Sequence, residues 1–401
     1  MRRSLALAVA LCVSRGALAE THEFEIGVED FDYLTRPSLL NLSDVLHLGS
    51  AQDILRGTLH ATEAWDTVRL RLSGYVETHP VGAGPTLLVA RELYAEYSFG
   101  PGLTLRAGKQ RVDWGSGLAW NPTNRIEPPR NPFNTALEEE GVLGLRADFV
   151  PAPWAGLVVL AARSDTRPGD LPFPVPGGTA TSGAIRARFL VKDTDLALVL
   201  SGGTNTHRLF GLDVGRNLGS LAVHAEGALS LGPDIPSARR DAPIFRLATG
   251  LLETRGSSSY SLEYFLNGDG FDGPGYGAYV ASLKASFARA SDPTLPTAER
   301  ETALGTYLGL GGVAYEGLGL RRRYLHAAWS RGEIRGRWTL SAQALFSLSD
   351  SSLALTPGLS LAARDDLTLS LNGVILLGES ESEYRLAPIR GALEGRVRLL
   401  F

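Results

Sequence analysis

The sequence predicts an all-β fold: a transmembrane antiparallel up-and-down β-barrel of about 18 strands, with long extracellular loops and short periplasmic turns. Three observations predict it. Apolar and polar residues alternate with a period of two along nearly the whole chain. Short connections alternate with long ones. The composition is too apolar for disorder, with a mean hydropathy of +0.00 over 401 residues, yet only 20% of residues are charged and 46 are Gly. Outside the first twenty residues the longest apolar run is Leu157–Ala162, far short of the ~18 residues a membrane helix needs. A chain of this kind is either a β-rich globule or a membrane barrel.

The N-terminus sets the compartment. Met1-Arg2-Arg3 is a basic start, Leu5–Val13 is apolar, and Ala17-Leu18-Ala19 is a small-residue cleavage site, the three parts of a secretory signal peptide. Residues 1–19 are therefore read as a cleaved leader and 20–401 as a single barrel domain in the cell outer membrane. Cys12, the one cysteine, lies inside the leader behind Leu11, which disfavours a lipid anchor and leaves no disulfide to staple the exported chain. The formal charge of −4 becomes −7 once Arg2, Arg3 and Arg15 are removed, and nucleic acid is not expected as a partner.

Each strand is justified by its own alternation. Val68, Leu70, Leu72 and Val76 alternate with Arg69, Arg71, Ser73 and Glu77. Leu367, Leu369, Leu371, Ile375 and Leu377 alternate with Thr368, Ser370 and Asn372, and Leu393, Gly395, Val397 and Leu399 alternate with Glu394, Arg396 and Arg398. Runs of about 10–13 residues with one apolar face are the repeat of membrane strands. In order they fall at 21–30, 52–63, 66–79, 86–99, 102–112, 141–150, 154–164, 180–191 and 195–204. The second half follows at 206–216, 219–231, 243–255, 258–267, 320–331, 336–348, 351–363, 366–378 and 389–401. Every even connection is short, such as Ala64-Trp65 and Arg364-Asp365, whereas most odd ones are long, 113–140 and 268–319 above all. An even strand count puts both termini on the periplasmic side. Helical patterning is confined to Tyr276–Ala290 and Thr297–Leu310, short helices in loop 268–319 that either lid the mouth or bind a partner. Trp65, Phe99, Phe149, Trp154, Phe189, Trp338 and Phe401 sit near the short-turn ends, where an aromatic girdle belongs.

If the apolar set faces lipid, the other set faces inward. The assignable inward charges are Arg69, Arg71, Arg106, Arg146, Arg186, Arg188, Arg246, Arg322, Arg337, Arg396 and Arg398 against Glu92, Glu96, Asp148, Asp213, Glu226, Glu263 and Glu394. The excess is positive, in a chain whose 39 basic residues include only three Lys. Two readings stand side by side. Arg lining a pore favours anions, because guanidinium stays charged and offers a planar fork; alternatively the charges pair across neighbouring strands and only satisfy one another. Lys109 and Arg111 fall out of phase with Arg106, which marks 102–112 as a candidate bulge.

The stretch Gly108-x-Gln110-x-x-x-Trp114-Gly115, followed by Asn121-Pro122-Thr123, resembles a recurring pattern in monomeric, roughly eighteen-stranded outer-membrane channels of the porin and alginate-export type. The terminal Phe401 behind Leu399, Val397 and Leu393 resembles the signal such barrels present to their assembly machinery. The resemblance implies that loop 113–140 folds inward as a constriction, with Arg111, Asp113, Arg125, Arg130, Glu138, Glu139 and Glu140 near the narrowest section. Pro122, Pro128, Pro129 and Pro132 would stiffen it; the alternative is a loop that caps outward.

Other chemistry is not indicated. The seven His lack metal-ligand spacing, and no nucleophile elbow, P-loop or dinucleotide fingerprint occurs. Asn267–Gly273 has calcium-loop residue types without the spacing, so turn chemistry is the reading there. No enzyme, cofactor or metal is expected. The expected partners are outer-membrane lipid and lipopolysaccharide, the assembly machinery, and small anionic solutes or an acidic polysaccharide passing by diffusion. The alternative function is a non-conducting barrel that binds or anchors surface polysaccharide.

Overall fold

The computed structural model describes residues 21–44, 49–79, 86–127, 140–165, 179–204, 206–232, 243–313 and 319–401. The expected leader and Arg130, Glu138 and Glu139 lie outside these. The first nine strands are β1 (Thr21–Thr35), β2 (Ala51–Trp65), β3 (Val68–Thr78), β4 (Leu87–Ser98), β5 (Leu103–Gln110), β6 (Val142–Ala152), β7 (Ala155–Asp165), β8 (Thr179–Val191) and β9 (Thr194–Thr204). The other nine are β10 (Thr206–Leu218), β11 (Leu221–Leu231), β12 (Pro243–Arg255), β13 (Ser258–Asn267), β14 (Arg323–Ile334), β15 (Trp338–Ser347), β16 (Ser352–Arg364), β17 (Leu367–Leu377) and β18 (Ile389–Leu400). Each pairs antiparallel with its sequence neighbours, and β1 pairs with β18 from Glu25↔Leu400 to Thr35↔Ile389, closing an 18-stranded barrel. Closure leaves no sheet edge, the condition for burying strands in lipid.

Connections on one side are only two to four residues long, from Asp66-Thr67 to Asp365-Asp366, while those on the other reach 55 residues between β13 and β14. Most outward side chains are apolar and exposed, among them Val28, Leu70, Leu105, Leu145, Leu198, Leu262 and Leu371. A continuous apolar face of this extent is a lipid-contacting surface. All seven expected girdle aromatics, Phe401 included, are exposed on it, and Phe401 meets Phe24 of the first strand at a ring separation of 5.9 Å.

Sequence expectation and structure differ in a few places. β1 runs to Thr35 instead of residue 30, because Asp30 and Asp32 stay in strand conformation on the outward face. β14 runs from Arg323 to Ile334, shifted three residues toward the C-terminus from the expected bounds. β5 carries no bulge: Leu103–Gln110 pairs in register with β6, and Lys109 simply faces outward. Register shifts fall elsewhere, among them one between Ser73 and Gly74 where β3 meets β4 and one between Thr206 and Leu209 where β10 meets β9. The helices are longer than expected, α1 (Gly273–Ser291) and α2 (Thr297–Val313), and α3 (Glu383–Leu386) was not foreseen. Asp272 caps α1 by accepting from the Gly275 amide, the role Asp plays when it satisfies an orphan N–H. Leu40, Leu320 and Leu386 pack with Tyr276, Leu283 and Tyr307, fastening both long helices to the β1–β2 and β17–β18 loops.

The closure seam is held by a chain of charges on the inner wall. Arg56 reaches Glu29 at 3.1 Å and Glu77 at 2.5 Å, and Arg396 reaches Glu29 at 3.1 Å and Glu394 at 2.7 Å. Glu29 is only 4% exposed, so it links β18, β1 and β2 where hydrogen bonding alone must close the circle. Removing one partner of such a network leaves charge uncompensated, at about 3–5 kcal/mol. Glu29→Ala is expected to lower the temperature at which the folded barrel loses its compact migration in detergent gels. Neutralising Arg56 and Arg396 as well should recover part of that loss.

Candidate functional site

The β5–β6 loop builds the site. After Gln110 the chain turns into the barrel through Asp113 (φ 40°) and Gly115 (φ 91°). A Cβ on Gly115 would lie 1.8 Å from Asn121 Oδ1, and one on Gly117 would lie 1.8 Å from the Trp120 carbonyl, so this tight fold demands Gly at both. Val112, Trp114 and Ile126 are buried against Leu160, Ala184, Val199 and Leu209 on the inner faces of β7–β10. Further along, Trp120 is 1% exposed. It stacks on Phe265 of β13 with centroids 4.9 Å apart and lies 5.8 Å from Tyr324 of β14. The two indoles therefore grip different arcs of the wall, and segment 111–127 lies within the lumen rather than capping it.

Buried backbone needs acceptors, and wall carboxylates supply them. Glu263 of β13 accepts from the amides of Leu118 (2.5 Å), Ala119 (3.1 Å) and Trp120 (3.0 Å), and contacts His224 Nε2 at 2.8 Å. Glu226 of β11 accepts from the amides of Gly117 (3.1 Å) and Thr123 (2.7 Å) and from Thr123 Oγ1 (2.6 Å). Ser116 donates to Asp213 of β10. Within the segment, Glu127 accepts from the Val112 amide and from Asn124 Nδ2 (2.7 Å), and Asn121 Nδ2 donates to the Trp114 carbonyl at 2.5 Å. The Trp-Gly and Asn-Pro-Thr signatures are thus the residues that mate the segment with the wall.

Between this segment and the wall remains a cavity of about 430 Å³, lined by Arg71, Glu92, Tyr94, Arg106, Arg111, Val112, Asp113, Trp114, Arg146 and Arg186. Five arginines face two carboxylates there. The pairs are Arg71–Glu92 at 2.7 Å, Arg111–Asp113 at 2.6 Å and, from just beyond the cavity lining, Arg106–Glu96 at 2.6 Å and Arg146–Asp148 at 2.7 Å. Arg186 is held loosely, 3.9 Å from Asp213. The Arg106 guanidinium also lies over the Tyr94 ring, 4.5 Å from its centroid, within cation–π range.

The other expected positions divide. Arg69, Arg188 and Arg398 lie on the inner wall, paired with Glu96, Asp195 and Glu25, and Arg396 belongs to the seam. Three positions are corrected. Arg246 is 1% exposed, with Ser230 at 2.8 Å and Asp269 at 3.5 Å, so it offers no surface to a solute. Arg322 precedes β14 and binds Gly270 O and Asp272 at the root of α1. Arg337 sits in a short turn and donates to the Ala363 carbonyl. Among the loop residues, Arg111 and Asp113 line the cavity and Arg125 is half-buried. Glu140 is corrected too: it pairs with the outward Lys109 at 3.1 Å, away from the lumen. Glu29 and Arg56 went unread, although Leu55 and Leu59 flanking Arg56 with the strand period did signal its inward face.

A second inward contact comes from the β17–β18 loop, whose Tyr384 belongs to the cluster around Trp120. Glu383 anchors it, accepting from the Leu320 amide at 2.8 Å and from Tyr324 Oη at 2.9 Å, while Asp350 accepts from the Glu383 amide at 3.0 Å. Burial, reinforced by Asp350, pushes the Glu383 carboxyl up to about 7. Arg36 ties the same loop to β1 through the carbonyls of Tyr384 (2.5 Å) and Ala387 (3.0 Å).

No protein-family model and no curated protein matches this chain. Solved structures do match in fold. Pseudomonas aeruginosa OccK8 (OprE) superposes with a TM-score of 0.56 at 9% identity, covering 96% of this chain and 98% of that one. OccK5 (OpdH) of the same organism gives 0.58 at 10% identity over 95% and 97%. P. aeruginosa OprD gives 0.57 at 8% identity over 97% of each.

Two outcomes follow from the anchoring. Glu263→Ala removes three hydrogen bonds to a carboxylate, each worth about 1.5–3 kcal/mol. Hydrogen exchange at Leu118–Trp120 should accelerate by roughly two orders of magnitude while strand amides stay protected. The raised Glu383 value means the docked β17–β18 loop binds a proton more tightly than the released one. Docking is therefore fully favoured below about pH 4.5 and loses that contribution as pH rises through about 7. Limited proteolysis within 379–388 should increase over that window in the wild type and stay flat in Glu383→Gln.

Proposed function

We propose that this protein is an outer-membrane channel that passes small hydrophilic anions by passive diffusion. The observation that carries this is the Arg-rich cavity beside the inward loop, with five arginines around two carboxylates. Along most of the wall pairing uses up the charge, whereas here five guanidinium groups converge on one cavity and Arg186 is held only loosely, 3.9 Å from Asp213. There the guanidinium groups lower the entry barrier for an anion, and their existing partners keep the binding weak enough for release, which conduction requires. A passing carboxylate or phosphate exchanges water for forked N–H donors, as Arg geometry suits. The shared fold with the OprD and Occ outer-membrane porins supports a solute channel. The narrow room left by segment 111–127 favours small solutes over an acidic polysaccharide.

In planar bilayers under a low-salt gradient the purified protein is expected to conduct with an anion-selective reversal potential. Arg146→Gln with Arg186→Gln should lower the anion-to-cation permeability ratio several-fold, roughly, and less at high salt where charges are screened. Cation selectivity of the wild type contradicts the proposal, and electrical silence with retained glycan binding supports the anchoring alternative.

A further inference from the structure

The lipid-facing wall is indented on one side of the barrel. Near the long-loop ends of β7–β11 a cavity of about 680 Å³ opens outward, with Val159, Ile185, Leu200, Phe210 and Leu229 among its lining. Register explains it. Those five residues are successive cross-strand partners and form one bulky row on the outward face. One step nearer the loops, Ala161 pairs with Gly183 and Gly183 with Gly202. Three neighbouring strands thus carry almost no side chain at that level, directly above the bulky row. The β9–β10 register shift then places Arg208 beside Gly202, its Cγ 3.4 Å from where a glycine Cβ would be. Arg208 belongs to the cavity lining, and Arg163 of β7 stands one further step toward the loops. Both arginines are exposed and make no ion pair among the described residues.

We propose that this groove is a binding site for the phosphorylated, multiply acylated glycolipid of the outer leaflet, with acyl chains in the groove and phosphates at Arg208 and Arg163. The proposal rests on the outer-membrane placement given above, which turns the long-loop side toward the outer leaflet. An apolar trough capped by guanidinium groups matches a molecule whose charge and hydrocarbon meet at the same level. Arg163 and Arg208 are three strand spacings apart across the sheet, about 14 Å, and offset by one two-residue step, about 7 Å, along it. That separation suits a headgroup with phosphates at both ends of a disaccharide better than the single phosphate of a phospholipid. The opposite part of the rim is acidic on its outward face, where Asp30 pairs with Asp53 and Asp32 follows, so the basic side is the one such a lipid approaches.

The test is native mass spectrometry of the full-length barrel in mild detergent, titrated with diphosphoryl lipid A, monophosphoryl lipid A and phosphatidylglycerol. The wild type should retain one diphosphoryl lipid A and bind it roughly tenfold or more tightly than the other two. Arg163→Glu with Arg208→Glu should lose that preference. Gly183→Leu should weaken all three by filling the trough, since a Cβ there meets nothing closer than the Gly202 carbonyl at 3.9 Å. Equal affinity for phosphatidylglycerol, or unaltered lipid A binding in both variants, overturns the site. Conductance recorded in parallel should be the same in wild type and variants, so a missing current counts against the channel and the lipid count against this site.

Discussion

Glu226 and Glu263 set the arrangement on which the lumen depends. Each is fully buried on the inner wall, where an ionised carboxylate without donors is strongly unfavourable. Apart from the His224 ring at Glu263, each finds its donors in segment 111–127, chiefly backbone amides. The dependence is mutual, since those amides lie inside a barrel with no sheet partner and would be orphaned without the carboxylates. Because hydrogen bonds to charge are strong and directional, the segment is held in one register, with Trp114 against β7–β10 and Trp120 against β13 and β14. The cavity that remains, and the residues lining it, follow from that register.

The inner wall uses charge in two ways. Along the seam and the lower wall, Arg and carboxylate alternate between strands, Glu394–Arg396–Glu29–Arg56–Glu77 being the longest run. This chain is structural: it holds the strands that close the circle. Beside the inward segment five guanidinium groups converge on the cavity, while Glu226 and Glu263 are occupied by backbone donors and do not line it. The two readings of the inward charges are therefore not rivals. Cross-strand pairing describes most of the wall, and the guanidinium groups that line the cavity are themselves paired, Arg186 most loosely.

Strand number, order and most strand ends were legible because lipid on one side and polar groups on the other enforce a period of two, and turn length reports the side of the membrane. β1 was harder, since Glu29 faces inward while Asp30 and Asp32 face outward, which erases the alternation. Phase alone placed Arg246 correctly on the inner face, but its burial under Asp269 depends on a loop packing that no local pattern encodes. Glu140 was assigned to the lumen through its loop, and the outward Lys109 draws it the other way. The Trp-Gly and Asn-Pro-Thr residues were visible as a motif, yet their acceptors lie more than 100 residues away, a pairing that only the closed barrel creates.

The central claim is that segment 111–127 resides in the lumen, locked against the wall, while ions pass beside it. Thr123 and Gly211 of β10 test it most directly, because a Cβ on Gly211 would lie 3.0 Å from Thr123 Cβ, close to the disulfide range of about 3.5–4.5 Å. With Cys12, the one cysteine of the sequence, replaced by Ser, no other thiol competes. Thr123→Cys with Gly211→Cys should form a disulfide in membranes under mild oxidant and leave single-channel conductance within the spread of the reduced form. Failure to cross-link, or a current that opens or closes when the bond forms, would contradict the account.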